Sequence, residues 1–167
     1  HGHELAAKEM AFRKAIDCIK AGHIVAVKGI GGFHLLVDAR NSKSVGLLRE
    51  RKRRSHKPLA LMFPDISSVE KACQVSLLEK NILQSSASPI VLLKRKKETS
   101  LEDALADLVA PDNPCWGVML PYAPLYYLLM NELNFPVVAT SGNISEEPIC
   151  IDENEAFEEV LFKTIPK

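Results

Sequence analysis

With 167 residues and 47% apolar content, the chain is long enough to bury a core, and its 25% charged residues exclude a disordered or fibrous composition. Its 21 Lys and Arg balance 21 Asp and Glu, which argues against a surface given over wholly to nucleic acid but leaves a local basic site open.

Residues 4–21 place Leu5, Phe12, Ala15, Ile16 and Ile19 on one helical face, and Gly22 is a suitable terminator. The apolar, β-branched run HIVAV (23–27) reads as a buried strand, KGIGG as a glycine-rich turn and FHLLVDA (33–39) as a second strand. Asn41 or Ser42 is expected to cap a helix through Val45, Leu47 and Leu48, which runs into a basic cluster. PLALMF (58–63) and PIVLLKR (89–95) are predicted strands, with one or two helices across 66–84 between them. After an acidic, then loop-like stretch over 97–115, WGVML is a predicted strand and APLYYLLMNEL a helix opened by proline. PVVAT follows as a strand and SGNISEEPI as a loop, and DENEAFEEVLFK (152–163) closes as an amphipathic helix. Strands and helices intermix, so the expected class is α/β or α+β with a mixed sheet, in one domain over 1–167.

Cys18, Cys73, Cys115 and Cys150 are scattered, with no C-x-x-C pair and no histidine at zinc spacing. They read as buried or idle thiols of a reducing cytoplasm, and no metal site is expected. No secretory signal and no apolar run of ~18 residues is present, so a soluble cytoplasmic protein without membrane contact is expected. The chain begins His-Gly-His rather than Met, as the interior of a longer protein or a cloning remnant would. From Glu146 to Glu159 seven carboxylates meet no Lys or Arg; a solvated helix face and a docking surface both fit that pattern.

Three stretches carry candidate chemistry. RERKRRSHKP (49–58) holds six Lys or Arg within nine residues. Lys52 and Arg54 can reach one polyphosphate if the helix ends there and the chain becomes extended, so that alternate side chains share a face. Pro58 supports an extended exit, and a compact ammonium beside a planar guanidinium suits a triphosphate. Arg49, Arg51 and Arg53 are assigned to solvating the helix end or facing another domain, and a localisation patch is the competing reading of the whole run. Thr140, Ser141, Gly142 and Asn143 follow an apolar strand, at the position where open α/β sheets bind ligands. Ser141 and Asn143 can hold phosphate oxygens or a water of bound Mg²⁺, or simply cap a turn. GIGGF (29–33) fits neither G-x-G-x-x-G nor the P-loop, and reads as a tight turn or a backbone anion cradle. His34, within an apolar run, reads first as a core histidine.

Together AVKGIGGFHLLVDA, RKRRSHKPLALMF, WGVMLPYAPLYYLL and VVATSGNISEEPI resemble the YrdC-like domain of the HypF-type hydrogenase-maturation carbamoyltransferases. The resemblance spans about residues 15–151, with the four motifs in the expected order. It implies a twisted mixed parallel and antiparallel sheet flanked by helices, with a concave, positively charged cavity, excised from a larger multidomain protein. It also implies an enzyme that makes carbamoyl-adenylate and pyrophosphate from ATP and carbamate, the carbamate being released from carbamoyl phosphate by other HypF domains in cis. The carbamoyl group would then pass to the partner HypE and become the cyanide ligand of [NiFe] hydrogenase. The family's K-x-R and S-x-N signatures correspond to Lys52-Arg53-Arg54 and Ser141-Gly142-Asn143.

The resemblance therefore implies Lys52 and Arg54 on the phosphates, Ser141 and Asn143 on phosphate or Mg²⁺, and Lys57 and Thr140 as further ATP contacts. Lys28, His34 and Pro121 are expected to line the cavity. Lys28-Gly29 and Met119 depart from the related threonylcarbamoyl-adenylate synthases, which favours the HypF resemblance because a site for bare carbamate needs no pocket for threonine. Tyr126 stands where the HypF pattern has His, and Val37 where Cys is common. Two other functions compete: a threonylcarbamoyl-adenylate synthase for tRNA modification, and a double-stranded RNA-binding module that uses the basic concavity.

Overall fold

A computed structural model describes residues 2–29, 32–97, 105–142 and 162–164. Helix α1 (Gly2–Lys20) leads into strands β1 (Val25–Gly29) and β2 (Gly32–Asp38), then helix α2 (Ser42–Arg51) and strand β3 (Ala60–Met62). Helices α3 (Ile66–Ala72) and α4 (Leu77–Leu83) flank the two-residue strand β4 (Cys73–Gln74). Strands β5 (Val91–Arg95) and β6 (Cys115–Met119), helix α5 (Pro124–Leu133), and strands β7 (Val137–Ser141) and β8 (Phe162–Thr164) complete the order.

The strands form one sheet in the order β4-β5-β6-β3-β7-β2-β1-β8. Among the described residues only β3 and β6 pair in parallel; the other pairs are antiparallel. The mixed sheet matches the expected class. Alternation along the strands divides the core in two. Leu35, Val37, Leu61, Leu93 and Val118 pack against Val45 and Leu48 of α2, Val69 of α3 and Leu83 of α4. On the opposite face Val25, Val27, Leu36, Met62 and Val137 pack against Ile16 and Ile19 of α1 and Tyr126, Leu129, Met130 and Leu133 of α5. The α5 set recurs at helical spacing. Proline opens this helix, and Asn134 closes it in the left-handed region at φ 55°.

Local signals account for most boundaries. Asn41 caps α2 by accepting from the Ser44 amide, while Asp65 and Ser76 each form reciprocal caps on α3 and α4. Gly22 ends α1 at φ +83°, where a Cβ would stand 2.9 Å from the Asn41 amide nitrogen. The same turn offers its carbonyl to the Ser44 hydroxyl. That turn therefore needs glycine both for its dihedral and for its close approach to α2.

The segment across 66–84 is two short helices, as expected, with β4 between them. One expectation changes. The closing helix expected over 152–163 lies largely outside the described residues, and its last two positions, Phe162 and Lys163, belong to β8 instead. Strand β8 pairs with β1, whose outer backbone groups would otherwise form an open sheet edge. The acidic stretch 146–159 and Asn143 also lie outside the described residues.

Candidate nucleotide site

Helix α2 delivers the basic cluster. Lys52 is its C-cap, with φ −82° and ψ −2°, and Arg53 then turns left-handed at φ 48°. The cluster is thus a tight turn and not the extended exit expected, because Arg53 breaks the strand-like path. Lys52 and Arg54 nevertheless reach one cavity by way of that turn.

Arg49 holds the turn in shape. It is 6% exposed and points inward, contrary to the solvating role expected of it. Its Nε donates to the Leu108 carbonyl and its Nη2 to Val109 O at 3.0 Å. Nη1 donates to Arg54 O at 2.9 Å, Lys57 O at 3.0 Å and Ser55 O at 3.4 Å. One side chain therefore gathers the carbonyls of the turn and ties them to the segment 108–109. Sequence alone carried no signal for this, since a helix-end arginine in a basic run looks the same whether it is solvated or buried.

Lys52 is 8% exposed, and its Nζ donates to Ser141 O at 2.5 Å, joining the basic turn to the end of β7. Burial, then the neighbouring Arg54 charge, lowers its pKa from the ordinary lysine value. Arg54 donates from Nη2 to Pro58 O at 3.3 Å, while its Nε is buried with no hydrogen-bond partner among the described residues. Two cations held close, one with an unsatisfied donor, make a place where an anion lowers the energy of both.

Lys52, Arg53, Arg54, Ser55, His56, Lys57 and Ser141 line a cavity of about 570 Å³. Four of the seven are Lys or Arg and none is acidic. A second cavity of about 350 Å³ shares Arg54 and Ser141 and continues over Leu59, Ala60, Ile90, Leu92, Gly117, Ala139 and Thr140. Ile90 and Leu92 are exposed on this stretch of the sheet. The site thus couples a cationic lobe to an apolar shelf, and sequence reasoning did not anticipate the shelf.

The structure brings together Lys52, Arg54, Lys57, Thr140 and Ser141. Lys57 is exposed on the rim, and Thr140 is buried in the strand. His34 and Lys28 line neither of these two cavities; Lys28 lies on β1 opposite Phe33. Pro121 lines a separate cavity with Pro64, Asp65 and Leu83. Gly142 donates to Phe33 O at 2.6 Å, which sets the path of the chain as it leaves the site. Among the described residues no three His, Cys, Asp or Glu side chains gather as a metal site, and no helix is long and apolar enough to cross a membrane.

A mixed α/β sheet with a cationic turn meeting the end of an antiparallel strand suits a compact anion. Residues 17–164 match the Sua5/YciO/YrdC family, which carries the description "Telomere recombination", and the chain belongs to that family. It is 46% identical over 155 residues to the carbamoyltransferase HypF of Synechocystis sp., covering 93% of this chain and 20% of that protein. A crystal structure of full-length HypF in a phosphate- and nucleotide-bound form is 51% identical. It superposes with a TM-score of 0.78 over 89% of this chain and 23% of that one. The threonylcarbamoyl-AMP synthase of Bos taurus is 26% identical over 87% of this chain and 51% of that protein. The chain thus spans about a fifth of the length of the HypF relatives it resembles.

Proposed function

We propose that the chain binds ATP and forms carbamoyl-adenylate from carbamate, as the YrdC-like part of a HypF-type carbamoyltransferase. The observation that carries this reading is the pairing of buried Lys52 with Arg54, whose Nε has no hydrogen-bond partner among the described residues, at the mouth of an apolar shelf. In the reaction a carbamate oxygen attacks the α-phosphorus of ATP, a new P–O bond forms, and the bond to pyrophosphate breaks. Charge builds on the phosphoryl oxygens, so fixed cations and positioning supply the catalysis and no covalent nucleophile is needed. Lys52 and Arg54 act on the phosphates, Ser141, Thr140 and Asn143 orient them, and Lys57 reaches in from the rim.

Mg²⁺ fits this reading only when carried by the nucleotide, because the described lining offers cations, hydroxyls and carbonyls and no carboxylate. Carbamoyl phosphate, other domains of the same chain and HypE complete the proposed reaction sequence upstream and downstream. The stronger likeness to HypF than to the threonylcarbamoyl-AMP synthase supports carbamate over a threonine-derived acid. Lys52→Ala should cost about 2–4 kcal/mol of transition-state stabilisation, on the order of 30- to 1,000-fold in rate. ATP–pyrophosphate exchange measures this directly. Unchanged exchange in the variant overturns the assignment, and exchange that requires threonine overturns the choice of acid.

A further inference from the structure

His34 lies directly opposite Ser141 in the β2–β7 register, so the two side chains leave the same face of the sheet roughly 5 Å apart. Ser141 lines the basic cavity, and His34, though not part of that lining, stands next to it on the same face of the sheet. His34 also meets the start of α5: the Tyr126 hydroxyl lies 2.5 Å and the Tyr122 hydroxyl 3.1 Å from its Nδ1. The two phenol rings pack together, with centroids 4.9 Å apart. A phenol O–H is the stronger donor and a bare imidazole nitrogen the stronger acceptor, so the short contact runs from Tyr126 to Nδ1. That leaves the proton of the neutral ring on Nε2. Nε2 meets no hydrogen-bonding group among the described residues and is not sealed from solvent. Burial also lowers the imidazole pKa from the ordinary 6.5, which favours the neutral ring.

We propose that His34 binds the small acid of the reaction, its Nε2–H donating to a carbamate oxygen and holding that acid beside Ser141 for attack on the α-phosphorus. The inference rests on the carbamoyl-adenylate reading of the site. A neutral donor suits the task, because a cationic one would draw electron density from the attacking oxygen. No proton leaves His34 in the step; the P–O bond forms and pyrophosphate departs as before. Tyr122 and Tyr126 are positioning residues that fix the tautomer.

The test uses ATP with ammonium carbamate and measures three things: pyrophosphate release, ATP affinity by calorimetry, and the His34 tautomer by ¹⁵N NMR. His34→Leu should raise the KM for carbamate by about tenfold or more and leave the Kd for ATP within about twofold. His34→Gln, whose amide N–H can replace Nε2–H, should recover most of the loss. An unchanged carbamate KM in His34→Leu, or a proton found on Nδ1, overturns the inference and leaves the proposed function standing. Loss of ATP binding in His34→Leu also overturns it, by showing a structural role. If the unsubstituted chain binds ATP but releases no pyrophosphate with carbamate, the adenylate reading fails and takes the inference with it.

Discussion

Arg49, in the last turn of α2, and Lys52, its C-cap, are both buried and do different work. Lys52 was legible in the sequence because its position two before Arg54 suggested a shared target. Arg49 was not, since burial of a guanidinium depends on carbonyls supplied from residues 54–57 and 108–109, far apart in the chain. Arg49→Ala frees five carbonyl oxygens and should cost about 3 kcal/mol, given ~1.5–3 kcal/mol for one hydrogen bond to a charged group. Arg49→Lys can satisfy only some of them and should fall between, which urea unfolding will resolve. His34 gives a pH signature of its own. Its pKa is lowered in the fold, so the unfolded chain binds more protons and stability falls as pH drops below the ordinary 6.5. Burial pushes the Tyr126 phenol, which faces it, above the ordinary phenol range, so that hydroxyl stays neutral there. His34→Gln should flatten unfolding free energy between pH 7 and 5; an unaltered slope refutes the assignment.

At the scale of elements, pattern identified those that bury one face and missed those defined by their partners. The periodicity of α5 and the apolar runs of β1, β2 and β7 sufficed to place them. The pairing of β8 with β1 was hidden because Phe162 and Lys163 also continue a helical pattern, and only the open edge of β1 decides between the two. Two glycines test how the strands shape the site. A Cβ on Gly142 would sit 2.7 Å from Phe33 Cβ and 3.0 Å from Phe33 O, close to backbone that cannot give way. A Cβ on Gly117 would meet Ile90 Cγ2 at 3.1 Å, a branch methyl of an exposed side chain that can shift by rotating about χ1. Gly142→Ala should therefore lose about 1–3 kcal/mol and weaken ATP binding, because the end of β7 carries Ser141. Gly117→Ala, whose only tight neighbour can move, should lose less stability than Gly142→Ala. Equal thermal midpoints for the two variants contradict this account.

For the whole molecule, zero net charge and a cavity lined by four cations are compatible because the positive charge is concentrated at one turn, matched to a compact anion. This separates the nucleotide reading from an RNA-binding module. Nucleotide at a hundredfold excess over its Kd should add about 2.7 kcal/mol of stability, a rise of roughly 5–10 °C in Tm for a chain of this size. Lys52→Ala should abolish most of that rise. An RNA module would track many phosphates along a groove and lose about 10³-fold in affinity between 50 and 200 mM salt for six contacts. The folded chain should bind duplex RNA weakly at 50 mM salt, release it at 200 mM, and release it also when ATP is added. Duplex RNA that persists at 200 mM salt, with no thermal shift from ATP, reverses the conclusion: the basic turn would then serve a long polyanion, and the bare shelf beside it would have no nucleoside to receive.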